Sequence, residues 1–140
     1  MATSPQATAQ VGSDVKVPRS VWVGRALSGL VVIFLLLDAG IHVTVPQPVV
    51  DAMTHLGYPL ASARAIGVVE LACLLLYLIP APAPIGAVLL TGLLGGAVAA
   101  HVRVGDPFFE TYVFPVIIGA LIWGGLALRD ARVRALFFQR

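Results

Sequence analysis

The chain has 140 residues, of which 59% are apolar and only 11% charged, and its formal net charge at pH 7 is +2. A water-soluble domain is about 25% charged, and so short a chain could not hide this much apolar surface from water. The composition therefore excludes an ordinary soluble domain and indicates a single domain inside a bilayer. The only cysteine, Cys73, excludes an internal disulfide, a thiolate metal site and a paired-cysteine redox centre formed by this chain alone.

The N-terminal third contains a polar tail, one long apolar run and a short amphipathic segment. Residues 1–20 are rich in Ala, Ser, Thr and Gln, and we interpret them as a disordered cytoplasmic tail. The apolar run at 21–45 is longer than the apolar region of a signal peptide and no cleavage site follows it closely, so we expect a transmembrane helix. Pro46 and Pro48 end this helix. Beyond them, helical spacing of apolar residues predicts a short amphipathic helix on the membrane surface.

Three further apolar runs complete the chain. The second span is expected at 63–79, and the proline-rich turn at 80–84 joins it to a third span at 85–102 in a tight antiparallel hairpin. The fourth span is expected at 112–128. Each run approaches the ~17–25 residues that cross a bilayer, and helices satisfy the backbone there. The predicted fold is all-α: a polytopic four-helix membrane bundle over 21–134, with a cytoplasmic C-terminal end at 135–140.

The basic residues predict the orientation. Seven of the nine Lys and Arg residues flank the two ends of the bundle, and the loops of the opposite side hold only Arg64 and Arg103. This asymmetry predicts that both termini are cytoplasmic, here in a bacterial inner membrane. Because the basic residues form membrane flanks and no polar basic face, we expect no nucleic-acid partner.

Small residues recur on the third span. Gly92, Gly96 and Ala100 follow one another at four-residue intervals, and Ala120 and Gly124 repeat the spacing on the fourth span. Such stripes let helix backbones approach closely. We interpret the stripe as packing within the bundle, with a contact between copies of the chain as the alternative.

Ionisable residues within the spans are the candidates for function. Burying such a group in hydrocarbon costs at least ~2.5–3.5 kcal/mol, so it should face the bundle interior and find a partner. At ~1.5 Å per residue, Asp38 lies ~25 Å along the first helix, Glu70 ~10 Å below the outer boundary and His101 ~24 Å along the third helix. The antiparallel topology thus brings three helices' polar groups to one depth in the outer third of the bilayer. The inner half is expected to be almost free of polar groups.

Two interpretations of this shared depth remain open. In the structural one, Asp38 pairs with His42 or Arg103, and Glu70 pairs with His101 or Arg103, to orient the helices. In the functional one, Glu70, His101 and Arg103 line a ligand pocket that opens toward the outer leaflet. Asp38 supports that pocket, and Tyr112 contributes from the fourth helix. Cys73 and Tyr77 are interpreted as packing residues, and no metal site is predicted.

Four segments, taken in order, resemble the DoxX-like membrane proteins. The run LLTGLLGGAVAAHVRVGDP at 89–107 resembles their third-helix signature, and FLLLD at 34–38, GVVE at 67–70 and WGGLALRD at 123–130 agree with it. The resemblance covers roughly residues 22–134 and implies a four-helix membrane bundle. Asp38, Glu70, His101 and Arg103 match the family pattern. His42 departs from it, since relatives often carry Lys there.

The resemblance implies function only broadly, because the group includes a subunit of a thiosulfate:quinone oxidoreductase and proteins linked to oxidative-stress complexes. Our first hypothesis is a subunit or partner of a membrane redox system that binds a quinone or lipid-like ligand, with redox proteins or a second copy as partners. The alternatives are a non-catalytic assembly protein and a small proton-coupled transporter. The last alternative is a haem protein with His42 and His101 as axial ligands. The departure from the family pattern at position 42 argues against it.

Overall fold

The computed structural model describes residues 17–138, and this part of the chain contains seven helices. They are α1 (Arg19–Thr44), α2 (Gln47–His55), α3 (Leu60–Leu78), α4 (Ala83–Val104), α5 (Phe108–Thr111), α6 (Val113–Arg129) and α7 (Ala131–Phe138). Most of the predicted tail and the last two residues lie outside the described range. The all-α prediction is confirmed for residues 17–138, and α1, α3, α4 and α6 coincide with the four predicted apolar spans.

The sequence explains why α1 stops where it does. Val45 follows the helix in the left-handed conformation, with φ at 51°, and its N–H donates to the carbonyl of Ile41 at 2.9 Å. A β-branched residue rarely adopts this conformation. Pro46 comes next and has no N–H with which to continue the helix. The chain therefore turns away from α1 and begins α2.

α2 is the predicted amphipathic helix. Val49 and Met53 are buried and pack against Ala63 of α3, whereas Asp51 and Thr54 are exposed. The four-residue spacing of the buried pair places both side chains on one helix face. α2 therefore lies against the bundle by its apolar face.

The four long helices close into a ring. α1 packs between α3 and α6, and α4 packs between the same two helices on the other side. One large residue from each helix fills the centre, where Leu35, Leu74, Leu90 and Ile122 are at most 2% exposed. The outer surface is also apolar, since large side chains such as Leu37 remain more than half exposed. Only lipid can cover such a surface favourably, so the chain is a membrane protein.

The number of spans is three or four. Each of α1, α3 and α4 is long and apolar enough to cross a bilayer. α6 has 17 residues and meets the same criteria only together with α7, from which it is separated by a bend of 113°. By these criteria the count is four only when the bent pair is taken as one span.

The glycines that bring helices together are not those of the predicted stripe. A Cβ added at Gly86 would lie 2.4 Å from a backbone nitrogen of α3, and one at Gly24 would lie 2.8 Å from the carbonyl oxygen of Gly125. Nothing lies within 4 Å of a Cβ built at Gly92 or Gly96. The prediction that these two glycines pack within the bundle is wrong, because spacing shows that a face is smooth but does not show which helix lies opposite.

The end of the bundle near the chain termini contains a buried hydrogen-bond network. The hydroxyl of Tyr77 donates to the carbonyl of Ile122 at 3.0 Å and lies 3.0 Å from Oγ of Ser28. Arg129 donates to the carbonyl of Tyr77 at 3.0 Å and lies over its ring. This end is therefore more polar than expected, and Tyr77 links three helices as well as packing between them.

α7, which the sequence analysis does not predict, folds back against the bundle. Val133 is 1% exposed and joins the core. Arg132 donates to the carbonyl of Pro80 in the α3–α4 turn at 2.7 Å and forms an ion pair with Asp130 at 2.8 Å. Hydrogen bonds from Arg132 hold the pKa of Asp130 below its usual value. Two of the basic residues that predict topology thus also tie the C-terminal segment to the α3–α4 hairpin.

Candidate functional site

A cavity of about 660 Å³ lies between α1, α2, α3, α4 and α6. Its walls are mostly apolar and include Leu35, Met53 and Ile118. Phe34 and Phe114 also line it, with ring centroids 5.1 Å apart in an edge-to-face arrangement. This volume falls within the ~300–1,000 Å³ of small-molecule sites, which are typically apolar with a few placed polar groups.

Three polar side chains on the α1 and α3 wall form one group, which we call the carboxylate–histidine cluster: Asp38, His42 and Glu70. Nδ1 of His42 lies 3.3 Å from Oδ2 of Asp38, and its N–H donates to the carbonyl oxygen of Asp38 at 3.0 Å. One ligand atom from each of the three residues lies within 4.8 Å of the others. All three residues line the cavity.

Close packing of two helices brings this cluster together. A Cβ at Gly67 would lie 2.8 Å from the carbonyl oxygen of Ala39 and 3.0 Å from Cβ of His42, so α1 and α3 touch there. Glu70 follows Gly67 by three residues and shares its helix face. Its side chain therefore reaches the level of Asp38 on the neighbouring helix.

Glu70 is the most confined member of the cluster. The residue is 1% exposed, while the side chains of Asp38 and His42 are 40% and 25% exposed. Its Oε2 is buried and has no hydrogen-bond partner among the described residues. Buried polar atoms are normally paired, so this oxygen requires an explanation.

A second polar group, the His–Asp–His bridge, lies at the ends of α2 and α4. It consists of Asp106 with His101 of α4 and His55 of α2, whose ring nitrogens lie 2.5 Å and 2.7 Å from its two carboxylate oxygens. Hydrogen bonds from His101 and then His55 lower the pKa of Asp106 from its usual value. Tyr112 donates its hydroxyl to the carbonyl oxygen of Asp106 at 2.8 Å. The bridge thus joins α2 to the end of α4.

The predicted single pocket is divided between these two groups. Asp38, Glu70 and His101 line the cavity together, but His101 pairs with Asp106 and not with Glu70. Arg103 donates to the carbonyl oxygen of Leu56 and lies over the ring of Tyr58, with 5.6 Å between its guanidinium carbon and the ring centroid. It forms no ion pair with the described carboxylates of Asp38 or Glu70, so the prediction that Arg103 meets them is wrong. Depth along a helix is readable from sequence, but the direction of a side chain around the axis depends on packing.

Asp106 is the residue that the sequence analysis missed. It follows Gly105, which takes a left-handed conformation with φ at 77° and ends α4. This turn reverses the chain, and the carboxylate returns to His101 five residues earlier. Gly-Asp-Pro directly after a helix carrying His101 was the available signal, since a glycine at this position ends helices.

Comparison with protein-family models gives a match. The model described as the DoxX-like family matches residues 26–125, a stretch that contains both polar groups and every residue that lines the cavity. Comparison with curated proteins and with solved structures finds no match. His42, which contacts Asp38, lies within the matched region.

Proposed function

The chain belongs to the DoxX-like family, and on this premise we propose that it binds a quinone, or another lipid-like molecule with a polar head, as a subunit or partner of a membrane redox system. The observation that supports this proposal is the cavity of about 660 Å³, with apolar walls and the carboxylate–histidine cluster on one side. Apolar walls suit a ring and tail, and the cluster suits a polar head.

The chemistry of a quinone matches the groups on the cavity wall. A quinone carbonyl accepts hydrogen bonds, and the imidazole rings of His42 and His101, whose nitrogens act as donors when they carry hydrogen, both line the cavity. The rings of Phe34 and Phe114 offer aromatic surfaces against which a ring can stack. Reduction takes up two electrons and two protons. We assign the electrons to a partner protein and the protons to side chains of the wall in their protonated form, as a carboxylic acid or an imidazolium.

We also propose that the bundle crosses the membrane four times with both termini in the cytoplasm of a bacterial cell. The length of α6 is at the short end of the range for spans, and α6 packs along α1 and α4 as a fourth wall of the ring. The distribution of Lys and Arg favours cytoplasmic termini. In this orientation α2 and the His–Asp–His bridge face the outer side, and the cavity lies in the outer half.

A second candidate is a non-catalytic assembly protein. The network of Tyr77, Ser28 and Ile122 favours it, because polar groups inside this bundle also serve to join helices. In that case the cavity is a packing gap and no ligand stabilises the protein. The experiment that follows separates the two functions.

The test is ligand-dependent thermal unfolding of the purified protein in detergent. We expect a short-chain benzoquinone or naphthoquinone to raise the melting temperature, because a ligand at 100 times its Kd stabilises the folded state by ~2.7 kcal/mol. A fatty alcohol of equal chain length tests whether the polar head is required. If neither quinone nor the alcohol raises the melting temperature, ligand binding is refuted and the assembly function is favoured.

Two glycines of α4 provide a matched pair of variants. Gly96 lines the cavity and Gly95 does not, and nothing lies within 4 Å of a Cβ at either position. Gly96→Leu should therefore fill part of the cavity without disturbing the fold and should abolish quinone stabilisation. Gly95→Leu makes the same change in helix propensity and should still be stabilised by quinone. Equal quinone responses in the two variants would show that the quinone binds outside this cavity.

A further inference from the structure

The carboxylate–histidine cluster has the ligand composition of a metal site. It offers one imidazole and two carboxylates, from Asp38, His42 and Glu70, with one ligand atom of each lying within 4.8 Å of the others. Zinc binds nitrogen and oxygen ligands at about 2.0–2.2 Å in a tetrahedral arrangement, so two ligands of one ion lie about 3.3–3.6 Å apart. The three ligand atoms therefore have to draw together from separations of up to 4.8 Å when an ion binds.

Glu70 supplies a separate observation. It is 1% exposed, and its buried Oε2 accepts no hydrogen bond from the described residues. A buried carboxylate oxygen without a donor is costly, and the cost is larger in a membrane, where water cannot compensate. The side chain belongs to the cluster and lines the cavity, so a cation held by Asp38 and His42 would also lie within reach of the Glu70 carboxylate.

We infer that Asp38, His42 and Glu70 bind a divalent transition-metal ion such as Mn²⁺ or Zn²⁺. Two carboxylates, a neutral imidazole and a divalent ion sum to zero formal charge, which suits a membrane interior. The ion satisfies the unpaired oxygen of Glu70. Mixed nitrogen and oxygen ligands favour transition metals, whereas Mg²⁺ and Ca²⁺ prefer oxygen alone.

The site has a defined relation to the cavity. Three protein ligands leave at least one coordination position of the ion free, and all three ligands line the cavity wall. A carbonyl or hydroxyl oxygen of a molecule in the cavity can occupy that position. The inference goes beyond the proposed function, because the ion binds whether or not a quinone does.

Metal binding is measured on full-length protein purified without a polyhistidine tag and stripped with chelator. We expect calorimetric titration with Mn²⁺ or Zn²⁺ to show one ion per chain, and Co²⁺ to give the visible absorption of a mixed nitrogen and oxygen ligand set. Mg²⁺ at the same concentration should bind at least tenfold more weakly. The inference is overturned if binding does not saturate at one ion per chain, or if Mg²⁺ binds with the same affinity as Mn²⁺ or Zn²⁺.

Variants locate the ion. Glu70→Gln and Asp38→Asn should each weaken binding of Mn²⁺ or Zn²⁺ at least tenfold. His55→Asn, which removes an imidazole outside the cluster, should not. If Glu70→Gln does not fold, Asp38→Asn decides the question, because its side chain is 40% exposed and tolerates the change. Unchanged affinity in Asp38→Asn, or an equal loss in His55→Asn, would place the ion elsewhere and refute the site.

Added Zn²⁺ should also raise the melting temperature of the wild type and leave that of Asp38→Asn unchanged.

Discussion

Replacing Gly86 by alanine tests the contact on which the α3–α4 hairpin depends. The added Cβ would lie 2.4 Å and 2.7 Å from backbone atoms of Tyr77 and 2.9 Å from the carbonyl oxygen of Cys73. Carbon atoms in ordinary contact are about 3.5–4.0 Å apart, so α4 must move away from α3 by roughly 1 Å. Overpacking of this kind costs ~1–3 kcal/mol. Because all three contacts are with backbone, no flexible side chain can relieve them.

Gly95→Ala is the control for this experiment. It makes the same chemical change in the same helix, and nothing lies within 4 Å of the new Cβ. Both variants therefore gain the same stabilisation of up to ~1 kcal/mol from the higher helix propensity of alanine. The difference in unfolding free energy between the two variants therefore isolates the clash, at ~1–3 kcal/mol. Reversible unfolding in mixed micelles, followed by tryptophan fluorescence, measures this difference. If Gly86→Ala is as stable as Gly95→Ala, the close contact between α3 and α4 does not exist.

Two further predictions concern the outer end of the bundle and the topology. Because hydrogen bonds from His101 and His55 lower the pKa of Asp106 from 3.8, their stabilisation is present above pH 3.8 and is lost as pH falls through the lowered pKa. The melting temperature of the wild type should therefore fall more steeply below pH 3.8 than that of Asp106→Asn, and parallel curves would contradict this. For topology, single cysteines are placed in a Cys73→Ala background. We expect Thr54→Cys to be labelled by an impermeant thiol reagent in intact cells and Gln139→Cys to be protected, and the opposite pattern would reverse the orientation.

Helix positions were predictable because prolines and apolar runs determine them locally. The predicted span at 85–102 differs from α4 by only two residues at each end, since Pro82 and Gly105 mark its boundaries. The pairing of Asp38 with His42 also follows from a four-residue spacing on one helix. Contacts between helices were not predictable in this way. Close contacts occur at Gly24, Gly67, Gly86 and Gly125, whose positions form no single regular stripe.

The candidate site was predicted in part for the same reason. Asp38, Glu70 and His101, for which the sequence predicts a common depth, line one cavity. Depth along the helices could not show that His101 turns toward Asp106, because that contact depends on a left-handed turn at Gly105. Nor could it show that Arg103 holds the end of α2 through the carbonyl of Leu56. Both outcomes depend on how the loop and α2 pack, and no periodicity encodes that packing.

The contacts of the C-terminal segment imply an order of events during biosynthesis. Arg129 and Arg132 donate to the carbonyls of Tyr77 and Pro80, each across 52 residues of sequence. The α3–α4 hairpin is therefore synthesised and inserted long before its last hydrogen-bond donors leave the ribosome. Because synthesis proceeds from the N-terminus, these two hydrogen bonds can form only after the C-terminal segment has been made. The hydrogen bonds at this end of the bundle are therefore completed when the chain is completed, and not when the hairpin inserts.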